Sequence, residues 1–497
     1  MPDATPGFNQ QIPAKIMTPD SVDTPIGTLE FFDGMPTDST LAKVYDNLDQ
    51  IRGVETFLNG VPAASIEGIR RGFIDAGITA GHQVGIFAMM DSNPLFLTGN
   101  TDMVYALTML DLAATGPVVV EIPPKCGPGT VDDAFFRFVI DMGAPGPDRG
   151  AGGKYLILPP DDPSDLNPPE GGEQAEVNGE TYYVARSRSY INLIALRGFL
   201  VDRKPDTAVK MFTEGVKIYP LDQAGNPPEM EFLSLAGHLF NTVHANNFEF
   251  YSELHSVIDR EPISLLDPEL RGLFAAIGIE KGQPFAPDER MTKILTDAVA
   301  IGNATARALA LRPREKSFYY YPNSLWYAVI PGGNHQWLKD GGIGGRNLDA
   351  RTLMFYQATL NTPAMTMKMP GVGSQYAGAS TDSAGDPFDG AKTYRLNIPA
   401  DMPAKNFWSV VVYDTQTRSE LQTTQPLPGK NSTRDDLAVN PDGSVDIYFG
   451  PTAPSGHDTN WIETVPGKSW FTYLRLYGPL DPWFDKTWRP GEVELLT

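Results

Sequence analysis

Hydrophobic spacing divides the chain into four stretches. From Pro36, Thr40, Leu41, Val44, Tyr45, Leu48 and Ile51 fall at steps of three and four, and Ile66, Ile69 and Phe73 do so again near Ser65 to Gly77. This predicts two helical segments. The runs HQVGIFAMM, GPVVVEIPP, GGKYLILPP and TYYVARS, each bounded by Gly or Pro, read as strands of a small antiparallel sandwich, with GNTDMVYALTMLDL (Gly99 to Leu112) near its centre. SYINLIALRGFLVD fits either a helix or a buried strand. A Pro-rich link, QAGNPPEM, then leads to a block in which Phe250, Tyr251, Leu254, Val257 and Ile258, and later Met291, Ile294, Leu295, Ala298 and Ile301, keep helical steps. Pro287 and Asp288 suit the start of the second of these helices.

Beyond Arg312 the period changes to two. Tyr394, Leu396 and Ile398 alternate with Thr393, Arg395 and Asn397, and Val445, Ile447 and Phe449 alternate with Ser444, Asp446 and Tyr448 just after an NPDG turn. With FWSVVVY and WFTYLRLY these strands predict a jelly-roll sandwich of about eight strands over 312–497. Residues 1–35 are Pro-rich and aperiodic, which predicts an extended arm. The expected organisation is mainly β with helical parts: the arm 1–35, a helical element and sandwich over 36–230, a helical domain over 231–311, and the second sandwich over 312–497.

Three places put polar or ionisable groups beside apolar strand cores, where they must be solvated, paired or used. FWSVVVYDTQTRS (Phe407 to Ser419) runs from Phe, Trp and three Val into Tyr413, Asp414 and Arg418. In WFTYLRLYGP, period two places Phe471, Tyr473, Arg475 and Tyr477 on one face and Leu474 and Leu476 on the other. An Arg flanked by aromatics suits a planar or anionic ligand, while the structural alternative pairs it with a carboxylate such as Asp414. GNTDMVYA opens a structured run with Asn100, Asp102 and Tyr105, for which the plainer reading is a capping Asp and a core Tyr.

Charge narrows the partners. The chain has 61 acidic and 39 basic residues and a formal charge of −22, a field that repels phosphate backbones and anionic lipid heads, so neither nucleic acid nor a membrane surface is expected. The single cysteine, Cys126, excludes an intrachain disulfide and reads as a small filler in a turn. MPDATPGFNQQIPAK lacks a basic region followed by an apolar stretch, so no signal peptide is expected, leaving a cytoplasmic protein or an exported one already trimmed. GAGGKY departs from a phosphate loop at Asp148 and Tyr155, GGIGGRN from a dinucleotide fingerprint at Asn347, and GVGSQYAG from a nucleophile elbow at Val372, two residues before Ser374. These Gly runs read as tight turns. The spacing of His238, His244 and His255 matches no zinc motif, so neither metal nor cofactor is expected.

The segments GNTDMVYALTMLDL, RGFLVD, GIEKGQPFAPDERM, NLDARTLMFY, GVGSQYAG, KNFWSVVVYDTQTRS, DGSVDIYFGP and WFTYLRLYGPLDPWFDKTWRPGE, in this order, resemble bacterial two-domain proteins with domain of unknown function 1254 followed by domain of unknown function 1214. The resemblance spans Pro36 to the C-terminus. It implies an immunoglobulin-like first sandwich, a small helical domain, a C-terminal jelly roll and assembly into homo-oligomers, and it implies no particular activity.

The functional expectation is a small organic molecule bound in a cleft between the β-domains, lined by Asn100, Asp102 and Tyr105 and by Tyr413, Asp414, Arg418, Arg475 and Tyr477. If the chain is an enzyme, a cofactor-free hydrolase or lyase is expected, with Asp102 or Asp414 as base, Tyr105 or another Tyr as proton donor and Arg as anion clamp. Two alternatives are a carbohydrate-binding jelly roll using Trp461, Trp470, Trp483 and Trp488 as platforms, and a structural oligomer whose polar clusters are fully self-paired.

Overall fold

The two helical segments read from residues 40–77 are one helix, Asp38–Asp75, in the computed structural model, which describes residues 12–496. Its continuity is hidden in the sequence because glycine interrupts the apolar stripe where other helices cross. A Cβ at Gly53 would come within 2.7 Å of Ala298 Cβ, and one at Gly60 within 2.7 Å of Leu254 Cδ2. The glycines thus set the close approach of helices Glu249–Arg260 and Glu289–Leu311. Pro62 sits inside the helix and is buried. With Pro268–Ala275 and Leu348–Gln357, these helices form a bundle built around the first one.

The first sandwich pairs a five-stranded sheet with a six-stranded one, ordered 231–234, 83–87, 104–111, 191–198, 129–133 and 138–142. SYINLIALRGFLVD resolves as the buried strand Ile191–Gly198, antiparallel to Val104–Asp111 at the sheet centre. Alternation then divides the side chains. Val104, Ala106, Ile194 and Leu196 pack against the five-stranded sheet, whereas Tyr105, Leu107, Leu193 and Ala195 face the helices and the second sandwich. The strand Glu231–Ser234 joins this sheet beside Gln83–Phe87.

The second sandwich stacks a five-stranded sheet, ordered 327–328, 374–379, 470–479, 404–414 and 429–431, on a four-stranded one. Leu474, Leu476, Val410 and Val412 fill the space between them, while Phe471, Tyr473, Tyr477 and Tyr413 turn outward to the first sandwich. Each sandwich therefore presents one polar-aromatic sheet face to the other.

The expected extended arm is partly structured. Its first eleven residues lie outside the described ones, and Ser21–Thr24, Gly27–Phe32 and Met35–Pro36 form a small antiparallel sheet with Phe32 82% and Met35 68% exposed.

Candidate functional site

Cross-strand register builds the site from two Arg–Tyr pairs. In the first sandwich Arg197 lies opposite Tyr105, its guanidinium 5.8 Å from the ring centroid. In the second, Arg475 lies opposite Tyr376, at 5.0 Å. The four side chains line a chamber of about 60 Å³ between the sandwiches, together with Thr98 and Asn100. Arg475 is 5% exposed. Its Nη2 donates to Thr98 O (3.0 Å), Gly99 O (3.2 Å) and Tyr413 Oη (2.5 Å), while its Nε is buried without a partner. Arg197 is half-buried, with Nη2 against Met365 Sδ at 4.0 Å. Among the described residues neither guanidinium has a carboxylate within ion-pair distance. Two cations taken from water without an anion are costly, and a bound anion offsets that cost.

Tyr376 lies between these charges. Burial raises a phenol's pKa, but the charges of Arg197 and Arg475, with hydrogen bonding to Ser374 and Arg197, outweigh it and hold Tyr376 below its ordinary value. Its neighbours behave oppositely: burial pushes the Tyr105 and Tyr477 phenols upward. Arg197, Met365 and Tyr376 also border a second, outer chamber of about 260 Å³, whose wall is mostly apolar and includes Met103, Phe199, Met369 and Val372. Asp141 is its buried acid. Thr362 Oγ1 donates to its Oδ2 at 2.9 Å, Oδ1 has no partner, and burial pushes its pKa up to about 6 against the opposing pull of the Thr362 and Thr130 hydroxyls and Arg197.

Of the residues singled out in the sequence, Asn100, Tyr105 and Arg475 line the inner chamber, Tyr477 borders the outer one, and Tyr413 packs behind Arg475. Tyr413 anchors the rear wall, its Oη donating to Gly99 O at 2.8 Å. Asp102 is beside them, yet it is occupied. Its Oδ1 accepts from Asn431 Nδ2 (3.1 Å) and Thr101 Oγ1 (3.2 Å), with Arg434 Nη1 at 3.8 Å, and its Oδ2 accepts from Ser409 Oγ. Asn100 closes the loop, taking Asp102 N at 2.9 Å and giving its Nδ2 to Tyr477 Oη at 2.6 Å. This carboxylate braces the two sandwiches and does not border either chamber as a base.

Asp414 and Arg418 are elsewhere. Asp414 follows Tyr413 on its strand, so alternation turns it away, and it pairs with Lys468 and caps Gln416 N at 2.7 Å. Arg418, reached through a left-handed backbone at φ +59°, stacks 4.1 Å over Tyr356, donates Nε to Tyr356 O at 2.8 Å and faces His244 Nε2 at 3.4 Å. Burial, with the Arg418 charge next, pushes His244 down to about 3, so it is the neutral partner. Trp470, Trp483 and Trp488 are buried in the second sandwich's core and offer no exposed platform. Among the described residues no group of three or more His, Cys, Asp or Glu is placed to hold a metal ion.

Arg197 and Tyr376 were not singled out from the sequence. Arg197 ends an apolar strand whose alternation aligns it with Leu193 and Ala195, the same signal that drew attention to Tyr413. Tyr376 was concealed in GVGSQYAG, where Gly371 and Gly373 do make a turn before the strand Ser374–Ala379 begins.

Comparison with known proteins matches residues 84–220 to the family described as protein of unknown function DUF1254 and residues 373–481 to the family described as protein of unknown function DUF1214. The solved VPA0106 protein from Vibrio parahaemolyticus is similar in fold, with 16% identity, TM-score 0.52, and 90% of this chain and 100% of that one covered. A putative uncharacterized protein from Burkholderia cenocepacia aligns at 11% identity and TM-score 0.40, over 92% of this chain and 97% of that one. No curated protein matches the chain.

Proposed function

We propose that this chain, a two-domain protein of DUF1254 followed by DUF1214, binds a small organic acid between its sandwiches, with the carboxylate in the inner chamber and an apolar body in the outer one. The observation that carries this is the pair of guanidiniums, Arg197 and Arg475, on opposite walls, with no carboxylate at ion-pair distance among the described residues. Size sets the ligand's shape. An inner volume of about 60 Å³ has room for about two waters or one carboxylate at ~30 Å³ per water, and the apolar 260 Å³ beyond it admits a short hydrocarbon or aromatic body.

For the reaction class, a lyase fits better than a hydrolase. The residues lining the inner chamber include Tyr, Arg, Thr and Asn but no His, Cys or Ser, a set suited to proton transfer and charge stabilisation more than to acyl attack.

The test is calorimetry at low salt with a panel of monocarboxylates of increasing chain length, beside the matching alcohols and amines. Acids should bind, with affinity rising over the first few carbons, and Arg197→Gln should weaken binding at least about tenfold, the loss of one charged hydrogen bond. Equal affinity for acids and alcohols, or an Arg197→Gln variant that binds as wild type, refutes the assignment.

A further inference from the structure

We infer that Tyr376 is a catalytic residue whose phenolate oxygen takes a proton from carbon on a small oxo acid bound between Arg197 and Arg475, an inference that rests on the anion-binding reading above. Charge matching leads there. The inner chamber holds two guanidiniums and, among its lining residues, no carboxylate. A monocarboxylate ligand balances one of them. The ionisable groups that remain on the wall are the phenols of Tyr105, Tyr376 and Tyr473, and only Tyr376 borders both guanidiniums and both chambers.

Geometry separates the three. Tyr473 is 2% exposed and its Oη donates to Gln357 Oε1 at 2.8 Å, so its proton is committed. Tyr105 is 8% exposed and has Arg197 beside its ring. Tyr376 is only half-buried, because its side chain stands at the junction of the chambers, where the body of a ligand joins its carboxylate head. The lowered pKa that the two arginines give Tyr376, against the raised values of Tyr105 and Tyr473, agrees with this assignment.

The step balances without a cofactor. A C–H bond next to the ligand's carbonyl breaks, an O–H bond forms on Tyr376, and the electron pair moves into the carbonyl to give an enolate that the arginines stabilise. Two negative charges face two positive ones before and after the transfer: carboxylate and phenolate at first, carboxylate and enolate afterwards. The buried carboxyls of Asp132 and Asp141 near Arg197, and of Glu420 near Arg475, keep their places throughout, so the site undergoes no change in net charge, which keeps the cost of the step low in a buried place. Return of a proton to a different atom, or loss of a leaving group from the adjacent carbon, would complete an isomerisation or an elimination.

The test uses the full chain and 2-oxobutanoate as probe in deuterated buffer near neutral pH. Proton NMR should show exchange at C3 well above the buffer rate. Tyr376→Phe should slow it by at least about 100-fold, the ordinary contribution of a positioned acid or base, while calorimetry shows 2-oxobutanoate still bound. An independent reading needs no ligand. Ultraviolet difference titration near 295 nm should show one phenol ionising before the rest, and Tyr376→Phe, verified as folded by circular dichroism, should remove it. Binding without exchange, or exchange that survives Tyr376→Phe, overturns the inference and leaves the binding site standing. No binding of 2-oxobutanoate overturns the inference, while the monocarboxylate panel separately decides whether the anion-binding reading stands. The absence of an early-ionising phenol in wild type also overturns it.

Discussion

Replacing Asp102 by Ala distinguishes a brace from a base. Its carboxylate takes hydrogen bonds from Ser409 Oγ and Asn431 Nδ2, whose residues are 0% and 1% exposed, so water has little access to replace it. A buried donor left without an acceptor costs about 1–3 kcal/mol. Two such donors, plus the loss of the carboxylate 3.8 Å from Arg434, give an expected destabilisation of about 3–5 kcal/mol. Equilibrium urea unfolding measures it, followed by tryptophan fluorescence and by far-ultraviolet circular dichroism. All seven tryptophans lie at or after Trp326, so fluorescence reports the C-terminal part and circular dichroism also reports the Asp38–Asp75 helix. Asp414→Asn is the control: Lys468 is 44% exposed, and an amide keeps the cap on Gln416, so the loss should stay below about 1 kcal/mol. An Asp102→Ala loss below about 1 kcal/mol, or one no larger than that of Asp414→Asn, refutes the brace.

Arg418→Met should cost about 2–4 kcal/mol from its lost hydrogen bonds and its stacking on Tyr356, yet leave carboxylate affinity within about twofold, as calorimetry will show. Glu261 accepts from Tyr190 N (2.6 Å) and Ile191 N (3.0 Å), and burial raises its pKa to about 7. The folded state therefore holds more protons than the unfolded one, whose carboxyl titrates near ~4.3, and the stability tied to this group falls as pH rises between those values. Glu261→Gln should remove about 2–4 kcal/mol of that decline between pH 5 and pH 8 in urea unfolding; equal pH slopes for the two proteins would contradict it. We expect a homo-oligomer, since Phe32, Met35, Tyr45 and Ile51 are all at least half exposed around the N-terminal sheet and helix. Light scattering should give a multiple of 54.3 kDa that Phe32→Ser with Met35→Ser reduces, and a wild-type monomer at micromolar concentration rejects the idea.

Much of one wall was legible in the sequence, because period two is a local property. Phe471, Tyr473, Arg475 and Tyr477 share a face of one strand, and that face does meet the GNTDM loop. Asp414 and Arg418 lie close to Tyr413 along the chain, but side chains on a strand alternate between its faces, and a left-handed turn at Arg418 carries its side chain to Tyr356. The opposite wall was harder to find. Arg197 belongs to a segment whose apolar residues suit both helix and strand, and the choice between them is made by pairing with Val104–Asp111. Nor does spacing reveal that Asp102 finds acceptable donors 307 and 329 residues later, at Ser409 and Asn431. Only the folded arrangement decides whether a carboxylate is free or consumed.

On the proposed reading, the division of the site between the sandwiches makes a bound acid a mechanical part of the molecule. One Arg–Tyr pair comes from each, so neither half can grip an acid as the two do together, and an acid that touches both opposes their separation. By linkage, a ligand at 100 times its Kd adds about 2.7 kcal/mol to the docked state. On that reading occupancy governs how the chain resists a protease or rising temperature, and a substitution at Asp102, which lies behind the chamber wall beside Asn100, imitates the loss of a binding residue.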